Sequence, residues 1–145
     1  MRQFNCYGER ETHEYIIPVI IEQVDKTTDG TIKLGNNSFR DFQYAGDAVR
    51  MAVNLLECGD FGEVYNMGSE SGVQMYDLAE MIGKLMGKDI NVEQDPERVR
   101  PWEIWHLQSD NTKLYETIEA RPQVSFEEGI KKTINDYKEN GWSYL

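Results

Sequence analysis

Phe39-Arg40-Asp41-Phe42-Gln43-Tyr44-Ala45-Gly46-Asp47 runs without a break into Ala48-Val49-Arg50-Met51-Ala52-Val53-Asn54-Leu55-Leu56. The first part alternates aromatic and polar side chains, as a strand with one buried face does, and the second repeats apolar residues at helical spacing. The pattern predicts a strand that hands over to a helix at Asp47, whose carboxylate suits a helix N-cap at the positive end of the helix dipole. Arg40 then stands at the mouth of a strand–loop–helix unit. A guanidinium fixed there can take a phosphate or carboxylate through two parallel hydrogen bonds. It can equally pair with Asp41 or Asp47 as scaffolding.

Upstream, residues 2–7 read as a strand ending at Gly8, followed by a polar loop through His13. Tyr15-Ile16-Ile17-Pro18-Val19-Ile20-Ile21 is apolar enough to be buried, and Pro18 is tolerated only in a first helical turn, so a helix is expected from Ile16 or Ile17 to Val24. Asp29-Gly30 marks a turn into a short strand, Thr31-Ile32-Lys33-Leu34.

Downstream, residues 63–68 read as a buried strand and residues 69–72 as the loop that closes it. A helix with Leu78, Met81, Ile82 and Leu85 on one stripe stops at Gly87, and residues 89–93 form a short strand. Residues 95–108 are irregular and hold Arg98, Arg100, Trp102, Glu103, Trp105 and His106. Asp110 is expected to open a helix, and Ser125-Phe126-Glu127-Glu128 is a capping box for the last one. Strands alternate with helices, so the fold class is α/β, in a single domain over residues 1–145.

The chain is 39% hydrophobic and 28% charged, which places it with globular and not disordered proteins. Its net charge of -11 argues against nucleic acid as a partner, because phosphate binding along a duplex needs a basic face. No run of about 18 apolar residues is present, so no membrane partner is expected, and the cytoplasm is the default location. Cys6 and Cys58 sit in apolar runs with no CxxC spacing and read as buried free thiols.

No catalytic engine is visible. Gly68-x-x-x-Gly72 follows a strand but is too sparse for a dinucleotide loop, and neither His13 nor His106 has a partner at ligand spacing, so no metal is expected. What remains is a dispersed set of donors suited to a diphosphate: Asn5 after a strand, Arg40 at a strand mouth and Arg100 beside two tryptophans. Each has a plain alternative. Asn5 could brace a turn, and Arg98 and Arg100 could pair with Asp95, Glu97 or Glu103. Trp102 and Trp105 are of a type more often found in a core than walling a pocket.

Read together, these segments resemble the C-terminal half of the extended short-chain dehydrogenase/reductases, the NAD-dependent nucleotide-sugar epimerases and dehydratases. Arg2-x-Phe4-Asn5-x-Tyr7-Gly8 resembles the family's R-x-x-N-x-Y-G, and Arg40-Asp41-Phe42-x-Tyr44-x-x-Asp47 its R-D-F/W-x-Y-V-x-D block. Residues 63–68 match E-x-Y-N-I-G, Arg100-Pro101 the late R-P, and Ser125-Phe126-Glu127-Glu128-Gly129-Ile130 the S-x-E-E-G-[LI] start of the final helix. Among its members the chain looks most like sugar-nucleotide 4,6-dehydratases, including the GDP-mannose type. Two places depart from the pattern: Ile118-Glu119-Ala120-Arg121-Pro122 replaces Leu-Gly-Trp-x-Pro, and Ala45 replaces a valine.

The resemblance implies an incomplete Rossmann-type sheet plus a small α/β substrate-binding domain. It implies a nucleotide diphosphate sugar as ligand, with Asn5, Arg40 and Arg100 on the diphosphate, Ile17 and Leu34 flanking the base, and Asn66 near the base or the substrate. NAD or NADP would serve the complete enzyme, bound by a glycine-rich motif that lies upstream of the R-x-x-N segment. So would the Tyr-x-x-x-Lys pair, and Tyr7 and Tyr44 have no lysine four residues on. This chain alone is therefore expected to bind no NAD and to be non-catalytic, with the NAD-binding half as its partner and a homodimer as a further assembly. The alternative is a non-catalytic binding or protein-interaction module that kept the fold. An unpaired sheet edge is a liability for a free domain, which favours the fragment.

Overall fold

Ile17, Ile20, Ile21 and Val24 fall on one face of a helix, and α1 (Ile16–Lys26) buries all four completely. The structure is a computed structural model and describes residues 1–142. Pro18 is the third residue of α1, within the turn whose amides have no helical acceptor. Around α1 the chain runs β1 (Arg2–Gln3), β2 (Asn5–Tyr7), β3 (Thr31–Leu34), β4 (Phe39–Tyr44), α2 (Ala45–Cys58), β5 (Asn66–Met67) and β6 (Gly72–Gln74). It continues through α3 (Met75–Leu85), β7 (Asn91–Gln94), a single 3-10 turn (Pro96–Arg98), β8 (His106–Leu107), α4 (Thr112–Thr117) and α5 (Phe126–Asn140).

β4 is the strand on which the others converge. It lies parallel to β2 with Asn5 opposite Phe42, antiparallel to β6 with Arg40 opposite Val73, and parallel to β8 with Arg40 opposite Leu107. β3 pairs with β7, and β1 with β5, each in parallel. Parallel pairs need crossover connections, and α1, α2 and α3 supply them.

Two apolar clusters result. The larger joins α1, β3, β4, α3 and α5, with Tyr7 and Phe42 packed edge to face at 6.3 Å. The smaller holds Ala48, Met51, Tyr65, Met67, Leu114 and Ile118 between α2, β5 and α4. α3 stops at Gly87, whose φ of 73° is the left-handed conformation a helix stop uses. Ser125 caps α5 by accepting from the Glu128 amide at 3.2 Å.

Several expectations are corrected. The strand over residues 2–7 is interrupted at Phe4, where its pairing passes from β5 to β4. Asp47 is the third residue of α2 and not its N-cap; the cap position is Tyr44. The Asp47 carboxylate accepts from Gln123 and Val124 amides at 3.0 Å each and from Arg50 at 2.7 Å, so it ties the approach to α5 onto α2. Of residues 63–68 only Asn66–Met67 is strand, and Val64 is exposed. β6 and β8 lie in stretches expected to be loop or irregular, because their two or three residues gain strand geometry only from β4. Both cysteines are exposed free thiols, not buried ones, and both tryptophans of the irregular segment are exposed too, Trp102 at 93%.

The family departure at residues 118–122 has a local solution. Arg121 stacks over the Tyr115 ring at 4.3 Å and donates to the Tyr115 and Ile118 carbonyls, while Ile118 fills the smaller core.

Candidate functional site

On a strand, neighbouring side chains face opposite ways, so Arg40 and Asp41 serve different sides of β4. Asp41 is fully buried and accepts from five donors: the amide and hydroxyl of Ser69 at 2.8 and 2.5 Å, the Glu70 amide at 3.1 Å, and the amide and hydroxyl of Ser109 at 2.9 and 2.6 Å. Asn111, also fully buried, bonds the amide and carbonyl of Gly68 at 3.1 and 2.7 Å. A Cβ at position 68 would stand 2.6 Å from the Asp41 carboxylate, which is why glycine is required there. This hub locks the loop after β5 and the segment after β8 to β4.

It also decides the fate of the sparse glycine pair. The amides of residues 69 and 70, which could have cradled a phosphate, are occupied by Asp41. The described residues therefore do not fit a dinucleotide pyrophosphate at this loop. Among the described residues no cluster of His, Cys, Asp and Glu could hold a metal ion.

On the other side of β4, Arg40 donates to the carbonyls of Phe39 and Ile104 at 2.8 and 2.5 Å and pairs with the Glu103 carboxylate. Its partner is thus Glu103, from the irregular segment, and neither Asp41 nor Asp47. His106 stacks on Phe39 at 4.4 Å and holds β8 alongside. Leu107, opposite Arg40, lines a shallow cleft of about 270 Å³ with Gln3, Phe4 and Asn5. The Asn5 amide group donates to the Asp41 carbonyl at 3.0 Å, bracing β2 against β4 at the rim of that cleft.

Arg100 lies on a strap tied to Asn36, in the connection between β3 and β4. Asn36 accepts from its amide at 2.7 Å and donates to its carbonyl at 3.3 Å, and a Cβ at Gly35 would stand 2.9 Å from the Arg98 carbonyl carbon. The two arginines of the strap differ: Arg98 pairs with Asp95 at 3.3 Å, whereas the Arg100 side chain is exposed and makes no ion pair among the described residues. Asn5 and Arg40 are therefore neighbours through β4 and Leu107, and Arg100 is three positions from the Glu103 that holds Arg40.

The remaining expected residues lie elsewhere. Ile17 and Leu34 are core residues with almost no accessible side-chain surface, so a base beside them would meet their backbone segments and not these side chains. Asn66 lies on β5 opposite Arg2, half-buried, with no side-chain hydrogen bond among the described residues. Sequence reading missed Glu103 as the partner of Arg40 and Asp41 as a hub. The signal for the hub was the pair of Ser residues at 69 and 109, too far apart in sequence to be linked without the fold.

Tyr7 of β2 and Tyr44 of β4 both have raised pKa values. Tyr7 is pushed up by burial, and its hydroxyl donates to the Phe126 carbonyl at 3.2 Å. Tyr44 is pushed up to about 12, by burial and then by the Glu9 carboxylate that its hydroxyl contacts at 2.8 and 3.0 Å.

With that geometry in place, residues 1–133 match the family described as GDP-mannose 4,6 dehydratase. The chain belongs to this family. Its relatives here are sugar-nucleotide dehydratases and epimerases of the extended short-chain dehydrogenase/reductase type. The dTDP-D-glucose 4,6-dehydratase of Mus musculus is 30% identical over 145 residues, which are 96% of this chain and 40% of that protein. The UDP-glucose 4-epimerase of Thermotoga maritima, solved with UDP-glucose, superposes with a TM-score of 0.84 at 26% identity, over 95% of this chain and 45% of the epimerase. The UDP-glucuronic acid 4-epimerase of Bacillus cereus, solved with UDP-glucuronic acid and NAD, gives 0.84 at 25% identity, over 95% and 44%. The chain thus spans less than half the length of these relatives. Their likeness covers the α/β architecture with its parallel strand pairs. No helix among the described residues is long and apolar enough to cross a membrane.

Proposed function

We propose that this chain is the nucleotide-sugar-binding portion of a sugar-nucleotide 4,6-dehydratase or epimerase, with the GDP-mannose 4,6-dehydratase type as the finer assignment. The observation that carries the reading is Arg40. Its guanidinium is fixed on β4 by Glu103 and Ile104, its register partner Leu107 lines a cleft with Asn5, and Arg100, its side chain exposed, precedes Glu103 by three positions. Two guanidinium groups and an amide suit the diphosphate of a nucleotide sugar, since charge-assisted and bidentate bonds to phosphate are the strong ones. Asn66 serves the base or the sugar, and the segments around Ile17 and Leu34 back the base.

In this reading the chain is non-catalytic by itself and works with an NAD-binding half. That half would bring NAD or NADP, which carries the hydride, and the tyrosine–lysine pair. What this chain contributes is binding and orientation of the diphosphate sugar.

The test is a titration of the purified chain with UDP-glucose and GDP-mannose, followed by calorimetry. Weak binding is expected, and Arg40→Ala together with Arg100→Ala should reduce it by about a hundredfold or more, since a hydrogen bond to a charged group is worth roughly 1.5–3 kcal/mol. Equal binding by the double variant would sink the site. A clear titration with NAD on this chain alone would contradict the division of labour.

A further inference from the structure

Arg40 is already occupied by an anion of the chain's own. The Glu103 carboxylate pairs with its Nη2, and the carbonyls of Phe39 and Ile104 accept from its Nη1 at 2.8 and 2.5 Å. The two side chains are only 15% and 8% exposed, so the pair is largely withdrawn from water and its charges cancel. An arginine has five N–H donors, and three of these are spent. In a chain of net charge -11, a neutralised guanidinium gives an approaching phosphate no field to follow.

Glu103 itself is held loosely. Apart from Arg40, its carboxylate accepts only from the Ile104 amide at 3.0 Å among the described residues, a bond to its own neighbour. On either side of it the strap is pinned: Asn36 holds both backbone groups of Arg100, and the Trp105 carbonyl accepts from the Phe39 amide at 2.9 Å. Between those pins, among the described residues, the hydrogen bonds from residues 101–104 to β4 all end on Arg40. Trp102 and Ile104 are exposed and anchor nothing in the core. A four-residue flap thus hangs on one guanidinium.

We infer that Glu103 is an internal counter-ion that holds the place of the ligand on Arg40: a diphosphate replaces its carboxylate on the guanidinium, and residues 101–104 come away from β4 as it does. The inference deepens the proposed function and rests on its assignment of Arg40 to the diphosphate. A diphosphate presents more anionic oxygens than a carboxylate and can take two N–H groups at once, so it can win the guanidinium. It must first break a desolvated ion pair, and that step costs free energy because each charge loses its partner away from water. Glu103 therefore lowers the affinity of the resting site and admits ligands that make more than one strong bond to Arg40.

The test is calorimetry of the full chain with UDP-glucose and with inorganic pyrophosphate. Glu103→Gln keeps an oxygen acceptor for Arg40 and the Ile104 amide and removes the charge. It should bind both ligands about tenfold more tightly, since a hydrogen bond to a neutral group is roughly half as strong as one to a carboxylate. Glu103→Ala, which removes the acceptor as well, should also bind more tightly, and it decides the matter if the glutamine variant folds poorly. Hydrogen exchange at the amides of residues 102–104 should quicken when UDP-glucose is added to the parent, whereas a strap that closed over its ligand would slow. Binding by the well-folded variant that equals or falls below the parent's makes Glu103 a support for Arg40 and overturns the proposal, and so does slowed exchange in the strap. If the parent binds UDP-glucose, Arg40→Ala abolishes that binding and Glu103→Gln changes nothing, the function stands and the counter-ion role alone fails. No binding by either the parent or Glu103→Gln defeats the function, and the inference with it.

Discussion

Arg40 and Asp41 are adjacent on β4, yet Asp41 is built into the interior while Arg40 is held by Glu103 and Ile104 on the other side of the strand. Five donors converge on Asp41, so its charge is consumed by scaffolding. Arg40 is held by one carboxylate and two carbonyls, and a phosphate could exchange with the carboxylate. Glu11 shows the opposite situation. One of its carboxylate oxygens is buried without a hydrogen-bond partner, and burial pushes its pKa up from 4.5 to about 8. The folded protein therefore binds a proton that the unfolded chain has released over that interval, and stability should fall as pH rises between about 4.5 and 8. Glu11→Gln keeps the shape and removes the titration, so urea melts at pH 5 and pH 8 should differ less for the variant than for the parent. An equal pH slope in both would show that burial does not raise the Glu11 pKa.

Helix ends and helix contacts are where local sequence rules and packing diverge. Ser125 obeys the capping rule and α5 starts where it should. Asp47 looks like a cap but sits two residues inside α2, because the amides of residues 123 and 124 compete for its carboxylate. Gly129 in α5 breaks the usual preference for a larger helix former. Glycine to alanine in a helix interior ordinarily stabilises by about 1 kcal/mol. Here a Cβ would stand 2.9 Å from the Tyr7 ring carbon that bears the hydroxyl, with Tyr7 boxed in by Phe42 and Phe126. Gly129→Ala should therefore lower the melting temperature, by an amount matching an overpacking cost of about 1–3 kcal/mol. A rise would mean that Tyr7 can move aside.

Across the whole molecule the two apolar clusters are unequal. The larger draws buried residues from six elements, α1, β2, β3, β4, α3 and α5, while the smaller is built mainly on α2, β5 and α4, with Val49, Val53 and Leu56 of α2 exposed. Local opening follows contact density. Native-state hydrogen exchange should accordingly be faster in α2 and α4 than in α1 and α3. Uniform protection would show that the two clusters unfold as one. The acidic balance of -11 bears on this scale too: under the proposed function a diphosphate ligand would approach against the overall field and depend on the local arginines, so its affinity should be sensitive to salt.

The α/β class, most helices and the order of the motifs were legible in the sequence, because apolar periodicity and capping residues are local signals. α1, α3 and α5 lie within a few residues of their expected bounds, and the family blocks stand in order along the chain. Arg40, Asn5 and Arg100 were legible as donors by type and position. What they touch was not. The Arg40–Glu103 pair spans 63 positions and the Asp41–Ser109 bond 68, and no period or motif encodes such a distance. β6 and β8 became strands only because β4 offered them an edge, and Cys6, Cys58, Trp102 and Trp105 are exposed, which their residue types did not announce. By itself the sequence determined the α/β class and the segments that form the longer helices, and offered Asn5, Arg40 and Arg100 as donors by type. Only the tertiary structure decided which of those residues meet, since burial and pairing are set by the packing of distant segments and not by any one of them.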